Sequence, residues 1–191
     1  RFSLAGSLRR MRETIKDIDF IIATDKPEPV KEALLQINDV KDVIASGSTK
    51  VSVTLADEYD VNVDFRLVED SAFTTTLHHF TGSKDHNVAM RQLAKQRGEK
   101  INEYGVEVEA TNETLQFKTE KDFFAHFEVD FIPPEMREDM GEVTEFQQGY
   151  QPLERNMIRG DLHMHSTYSD GAESIEEMVQ YARKLNYEYI A

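Results

Sequence analysis

Apolar residues alternate with polar ones over residues 15–22: Ile18, Phe20 and Ile22 fall on one side, Asp17 and Asp19 on the other. Period two predicts a strand with a single apolar face. Over residues 29–37 the period lengthens, with Val30, Leu34 and Ile37 at helical spacing and Pro29 in the first turn, which predicts a helix lying on that face. Alternation returns in residues 50–55 (Val51, Val53, Leu55) and 61–67 (Val61, Val63, Phe65, Leu67), with residues 57–60 as polar turn material between them. This is a hairpin, and its second strand turns Asn62, Asp64 and Arg66 away from the apolar side. Residues 71–132 mix helices with a further hairpin. One helix is expected over residues 85–97, and Gly98 stops it. Pro133-Pro134 opens a polar connector that lasts to about residue 159, and a new strand starts at Asp161. Ser174 then caps a helix, with Glu177 completing a capping box and Ile175, Met178, Ala182 and Leu185 as its buried stripe, before a strand over residues 187–191.

There is no internal repeat and no low-complexity tract, so these changes of pattern set the divisions: residues 1–70, 71–132, a linker at 133–160, and 161–191. The fold class is α+β. With 191 residues, 39% of them hydrophobic, the chain can build one ordinary core or two small ones. Cysteine is absent, which excludes disulfides and thiolate metal sites and makes the cytoplasm the expected compartment. No run approaches the roughly 20 apolar residues of a membrane span, so no membrane partner is expected. A formal net charge of -14 argues against a broad electrostatic grip on nucleic acid. A site that collects carboxylates is itself acidic, and a basic DNA-gripping surface would have to come from elsewhere in a longer protein.

Two strands of one sheet, packed on the helix by their apolar faces, would present Asp17, Asp19 and Asp64 together on the opposite face. Three crowded anions repel one another unless a cation compensates. Oxygen-only ligands suit Mg²⁺, which takes one or two carboxylates, water and substrate phosphate. Aspartates on a wet strand face are also ordinary in a chain with 36 acidic residues. Gly6-Ser7 with Arg9-Arg10 just upstream tips the balance, because close backbone approach, a hydroxyl and two cations are what a triphosphate needs. A second candidate centre is Asp161-Leu162-His163-Met164-His165-Ser166-Thr167-Tyr168-Ser169-Asp170-Gly171. On a strand, His163 and His165 would project from one face and share an ion, with Asp170 returning from the next loop, a donor set for Zn²⁺, Mn²⁺ or Fe.

The run from Gly6-Ser7-Leu8-Arg9-Arg10 to Asp17-Ile18-Asp19, then Val63-Asp64-Phe65-Arg66-Leu67, then Phe80-Thr81-Gly82-Ser83 with Asn87, resembles the family X DNA polymerases, the family of DNA polymerase beta. Ile101-Asn102-Glu103-Tyr104-Gly105 and Ile132-Pro133-Pro134-Glu135 extend the resemblance to the last polymerase subdomain. It implies a nucleotidyltransferase-type palm in 1–70 and a small thumb-like, nucleotide-selecting subdomain in 71–132. Asp17 and Asp19 would bridge two Mg²⁺ or Mn²⁺ ions, and Asp64 would bind the catalytic ion and help deprotonate a primer 3′-hydroxyl. Gly6, Ser7 and Arg10 would hold the triphosphate of a dNTP. Phe80, Thr81 and Gly82 would line its sugar, and Asn87 would reach the minor-groove edge of its base. The sequence departs from polymerase beta at His79, which stands where that pattern has tyrosine before phenylalanine, and at Lys84, where it has aspartate. His78, His79 and His86 read as nucleotide-side or surface residues and not as a metal cluster.

The His-x-His stretch resembles the first motif of the polymerase and histidinol phosphatase (PHP) superfamily, which implies a Zn²⁺ or Mn²⁺ site made of His163, His165 and Asp170 together with ligands further on. One strand-helix-strand unit cannot close a barrel, so no phosphoesterase activity is expected of this chain alone. Together the two resemblances imply an internal stretch of a bacterial or archaeal repair polymerase with 3′–5′ exonuclease activity, acting on gapped or primed DNA. A nucleotidyltransferase acting on RNA or a small molecule would share Gly-Ser and Asp-x-Asp without Phe80-Thr81-Gly82 and Asn87, and a catalytically inactive nucleic-acid-binding module is the third reading.

Overall fold

In a computed structural model, which describes residues 1–191, the chain divides into two compact units, Arg1–Tyr150 and Gln151–Ala191. The first opens with β1 (Phe2–Ala5), α1 (Gly6–Arg9), β2 (Asp17–Ala23), α2 (Pro27–Leu35), β3 (Val40–Ser46), β4 (Lys50–Leu55) and β5 (Asn62–Val68). These strands form one mixed sheet in the order β1-β2-β5-β4-β3, with β2 and β5 parallel and every other pair antiparallel. The expected helix lies two residues earlier than its spacing suggested, because Pro27 as well as Pro29 sits in the first turn. Leu34 and Leu35 pack on Phe20, Ile22, Val51, Val53, Val63 and Phe65, the apolar face read from the sequence.

The opposite face is not uniformly polar. Ile21, Ala23 and Val68 share it with Asp17, Asp19 and Asp64, and they pack under Phe73, Leu77 and Phe80 of α3 (Phe73–Thr81). One half of that face is therefore core, and only the half carrying the aspartates is left uncovered. Two strands escaped the period-two reading. β1 is short, and β3 is an edge strand with two register shifts and mostly exposed residues, Val43 and Ile44 among them. Bulges of this kind blunt an edge against pairing with other chains.

Beyond α3 come α4 (Lys84–Gln96), β6 (Glu99–Ile101), β7 (Val106–Val108), β8 (Glu113–Leu115) and α5 (Glu120–His126). The expected hairpin is a three-stranded antiparallel meander, β6-β7-β8. Met90 and Ala94 of α4, Ile101, Val106, and Phe123, Phe124 and Phe127 around α5 make its core. Ser83 caps α4, and Gly98, at φ +71°, ends it. The stretch from residue 133 corrects the linker reading. α6 (Glu142–Gln147) inserts Phe146 into this core, and Arg137 and Glu142 are fully buried beside it. A run of polar residue types reads as connector, yet here the charges are buried in pairs.

His78 and His86 require a second correction. Both are buried: His78 stacks 4.3 Å from Phe123, and Nδ1 of His86 donates to Glu142 at 2.6 Å. Burial pushes the pKa of both imidazoles down, that of His78 well below the ordinary histidine value. They are neutral core residues tying α3, α4 and α6 together.

The second unit holds β9 (Gly160–Asp161), α7 (Ile175–Lys184) and β10 (Tyr189–Ile190), with β9 and β10 parallel. The capping box of Ser174 and Glu177 is present. Of the expected stripe, Ala182 is buried, Met178 and Leu185 are half-buried, and Ile175 is exposed. This is one βαβ unit and not a barrel. No helix of the chain is long and apolar enough to cross a membrane.

Candidate nucleotidyl-transfer site

The parallel pairing of β2 with β5 sets Asp17 against Asn62 and Asp19 against Asp64. Neighbouring strands lie about 4.8 Å apart, so the carboxylates of Asp19 and Asp64 rise side by side from one face. The electrostatic result is visible in Asp19. Burial, then the charges of Asp17 and Asp64, raise its pKa above the ordinary value, against the pull of Arg66 and Lys50. Burial would raise Asp64 as well, but hydrogen bonds from Lys50 and Ser52 outweigh it and leave that carboxyl lowered. The Lys50 ammonium lies 2.6 Å from Asp64 Oδ2. No three acidic or imidazole side chains are drawn into a metal-ligating arrangement as they stand. The oxygen donor set nevertheless fits a hard divalent cation, and the ammonium on Asp64 occupies such a charge's place.

Gly6 stands over this pair at φ +64°, and a Cβ built on it would lie 2.2 Å from Asp19 Oδ2. Glycine is demanded twice, by the backbone conformation and by the carboxylate beneath it. Gly6→Ala is expected to displace Asp19 and strain α1 together, lowering stability by about 1–3 kcal/mol. Thermal melting checks this, and a variant that melts with the wild type contradicts it.

Ser7 follows Gly6 on α1, half-buried. Arg9, the last residue of α1, and Arg10, its C-cap, reach across to α3 and the segments beyond it. Arg10 donates to the Thr81 carbonyl at 2.9 Å and to Glu138 at 2.7 Å. Arg9 donates to the Thr81 hydroxyl at 2.7 Å and grips Glu120 with both terminal nitrogens. Glu120 in turn meets the fully buried Arg137 at 2.6 Å. The sequence reading offered Arg9 with Arg10 as the two cations of a triphosphate site, whereas here Arg9 is engaged by Glu120.

The residues expected around a nucleotide are brought together. Thr81 is buried under the two arginines, and Phe80 lies 3.8 Å beneath the Arg66 guanidinium. A Cβ on Gly82 would come within 2.8 Å of Asn87 Oδ1, so this backbone approach also requires glycine. Asn87 donates through Nδ2 to the His79 carbonyl at 2.7 Å, while its Oδ1 is buried without a partner. His79 packs edge-on to Phe80, and burial lowers its pKa. A cleft of about 1120 Å³ opens at the other end of the same strands, lined by Thr24, Ser48, Thr49, Arg66, Glu103 and Tyr104. Arg66 borders both this cleft and the aspartate end of the strands.

In the second unit β9 ends at Asp161, so His163 and His165 lie in irregular chain and not on a strand as expected. Their rings still stack, with the two Nε2 atoms 2.9 Å apart. Asp170 bonds the other nitrogen of His165, Nδ1, at 2.6 Å. A carboxylate so placed fixes the orientation of the imidazole it bonds.

Residues 76–138 match the family model described as the DNA polymerase beta thumb. Over all 191 residues the chain is 58% identical to DNA polymerase/3′-5′ exonuclease PolX of Bacillus subtilis. Residues 76–138 carry a segment similar to the DNA polymerase beta thumb. It spans about a third of the length of the Bacillus relative, 34%. Repair DNA polymerase X from two isolates of African swine fever virus is 26% identical over 139 residues, which are 69% of this chain and 78% of the viral protein. The matched thumb runs from α3 past Arg137, so it takes in residues 133–138 that the sequence reading gave to a linker.

Proposed function

We propose that residues 1–150 are the nucleotidyl-transfer centre of a DNA-directed DNA polymerase of family X, acting in gap filling, and that dNTP and primed DNA are its substrates. The observation that supports this most is the Asp19–Asp64 pair on adjacent parallel strands, with Gly6 shaped to the Asp19 carboxylate. The printed names of the Bacillus and viral relatives agree with it. Asp17, Asp19 and Asp64 would hold Mg²⁺ or Mn²⁺, which supplies charge neutralisation and a more acidic primer hydroxyl. Asp64 would bind the catalytic ion and help deprotonate that hydroxyl. Ser7 and Arg10 would bind triphosphate oxygens, with Arg10 exchanging Glu138 for phosphate. Phe80, Thr81 and Gly82 would line the sugar, His79 would flank it, and Asn87 would check the base edge.

The polymerase subdomains would be residues 1–70 and a second that begins at residue 71 and runs on through α6. Residues 161–191 would open a PHP domain in a longer protein with 3′–5′ exonuclease activity, as the Bacillus relative's name describes. There His163 and His165 would contribute to a Zn²⁺ or Mn²⁺ site, with Asp170 orienting His165, and the cytoplasm would be the working compartment.

Calorimetric titration of Mn²⁺ in the presence of a dNTP tests the polymerase site. The wild type should show nucleotide-dependent binding, and Asp17→Ala combined with Asp19→Ala should lose it. Equal behaviour of the two proteins overturns the assignment. Extension of a primer that follows the template separates a DNA polymerase from a transferase acting on RNA or a small molecule.

A further inference from the structure

Lys50 is the first residue of β4 and pairs in register with Arg66, two positions along from the Ser52–Asp64 pair and on the same face. Its side chain turns along the sheet to Asp64, where the ammonium stands 2.6 Å from Oδ2. Ser52, buried on the same face, is the register partner of Asp64 and helps hold that carboxyl's pKa down. Asp64 is thus already served by a cation and a hydroxyl, whereas Asp19, its neighbour in register, has only the more distant charges of Lys50 and Arg66 to oppose Asp17 and Asp64.

We propose that Lys50 is the resident counter-cation of the carboxylate site, holding Asp64 until a divalent cation displaces it. The inference rests on the metal-binding reading of Asp17, Asp19 and Asp64 given above. Lys50 serves as a positioning residue. Its ammonium neutralises one of three crowded anions and so lets the two strands pair without a metal. The same ammonium makes divalent binding an exchange, because Asp64 gives up its lysine as it takes the ion. The pair suits such an exchange. The Lys50 side chain is 37% exposed on a flexible stem, and partly exposed ion pairs are weak enough to open readily.

Mn²⁺ binding to the 191-residue chain without nucleotide, followed by the electron paramagnetic resonance signal of the free ion, tests this. Lys50→Met should bind Mn²⁺ roughly three- to tenfold more tightly than wild type. Lys50→Arg, which keeps the charge, and Lys31→Met, which removes a lysine paired with Glu28 on α2, should stay within about twofold of wild type. Asp17→Ala with Asp19→Ala corrects for ions held elsewhere on an acidic surface. Lys50→Met binding no tighter than wild type, with the double variant still defective, overturns the role of Lys50 and leaves the site reading intact. Wild type and double variant binding alike overturns both. Amine labelling of wild type, read by mass spectrometry at Lys50, does not depend on how the variants fold. Mg²⁺ should raise the labelling of Lys50, and an unchanged rate overturns the exchange.

Discussion

Replacing Glu120 with alanine is expected to lower the stability of the first unit by about 3–5 kcal/mol, the cost of leaving a buried charge without its partner. Arg137 is fully buried, and Glu120 is its only carboxylate within salt-bridge distance. Arg9 would lose its bidentate contact in the same variant. For a unit of this size the melting temperature should fall on the order of 10 °C. The pH dependence gives an independent check. Burial would raise the Glu120 pKa, but the hydrogen bonds and charges of Arg9 and Arg137 override it and hold the folded-state value below 4.5. The stabilisation is therefore complete above the unfolded-state value and is lost as pH falls through the depressed one. Glu120→Gln should lack that component of the acid transition, and melting curves from pH 7 down to pH 3 would reveal it. A Glu120→Ala protein as stable as wild type at pH 7 would show that Arg137 finds other compensation.

Asp19→Asn is expected to move activity and stability in opposite directions. If residues 1–150 perform nucleotidyl transfer, removing this charge should slow primer extension at least about 10³-fold, since loss of a single electrostatic stabiliser costs 10²–10³ and Asp19 is flanked by both other carboxylates. The same change should raise the melting temperature without metal. Burial, Asp17 and Asp64 raise the folded-state pKa of Asp19, so its ionisation destabilises the fold. The stability associated with its protonated form is present below the unfolded-state value and is lost as pH rises through the folded one. The amide side chain would keep the shape and discard that penalty. A variant both inactive and less stable would mean that Asp19 is held by contacts other than those described.

Much of this site was legible in the sequence because its strands alternate cleanly. Ile18, Phe20 and Ile22 on one side, and Asp17 and Asp19 on the other, fix the faces of β2, and Val63 to Leu67 fix those of β5. Register followed, since a slip by one residue would bury the aspartates against α2. What the pattern missed has identifiable causes. β3 breaks its alternation at two bulges, and β6 to β8 are three residues each. His78, His86, Glu142 and Arg137 belong to types that predict surface, yet all four are buried. Polarity alone cannot tell a solvated charge from one whose partner arrives from a distant helix. For the same reason α6 was taken for connecting chain, and Arg9 was read as a triphosphate-side cation although Glu120 holds it.

The central pairing of the sheet joins residues 45 apart, Asp17 to Asn62 and onward to Ala23 and Val68. β3 to β5 can zip into a local meander as soon as they leave the ribosome, but β2 must wait for β5, with β1 outside it. Closing so long a loop before any contact rewards it is a slow step in folding. The carboxylates are thus gathered by the longest-range pairing in the sheet. During synthesis the chain carries Asp17 and Asp19 as solvated, metal-indifferent residues until Val68 has emerged.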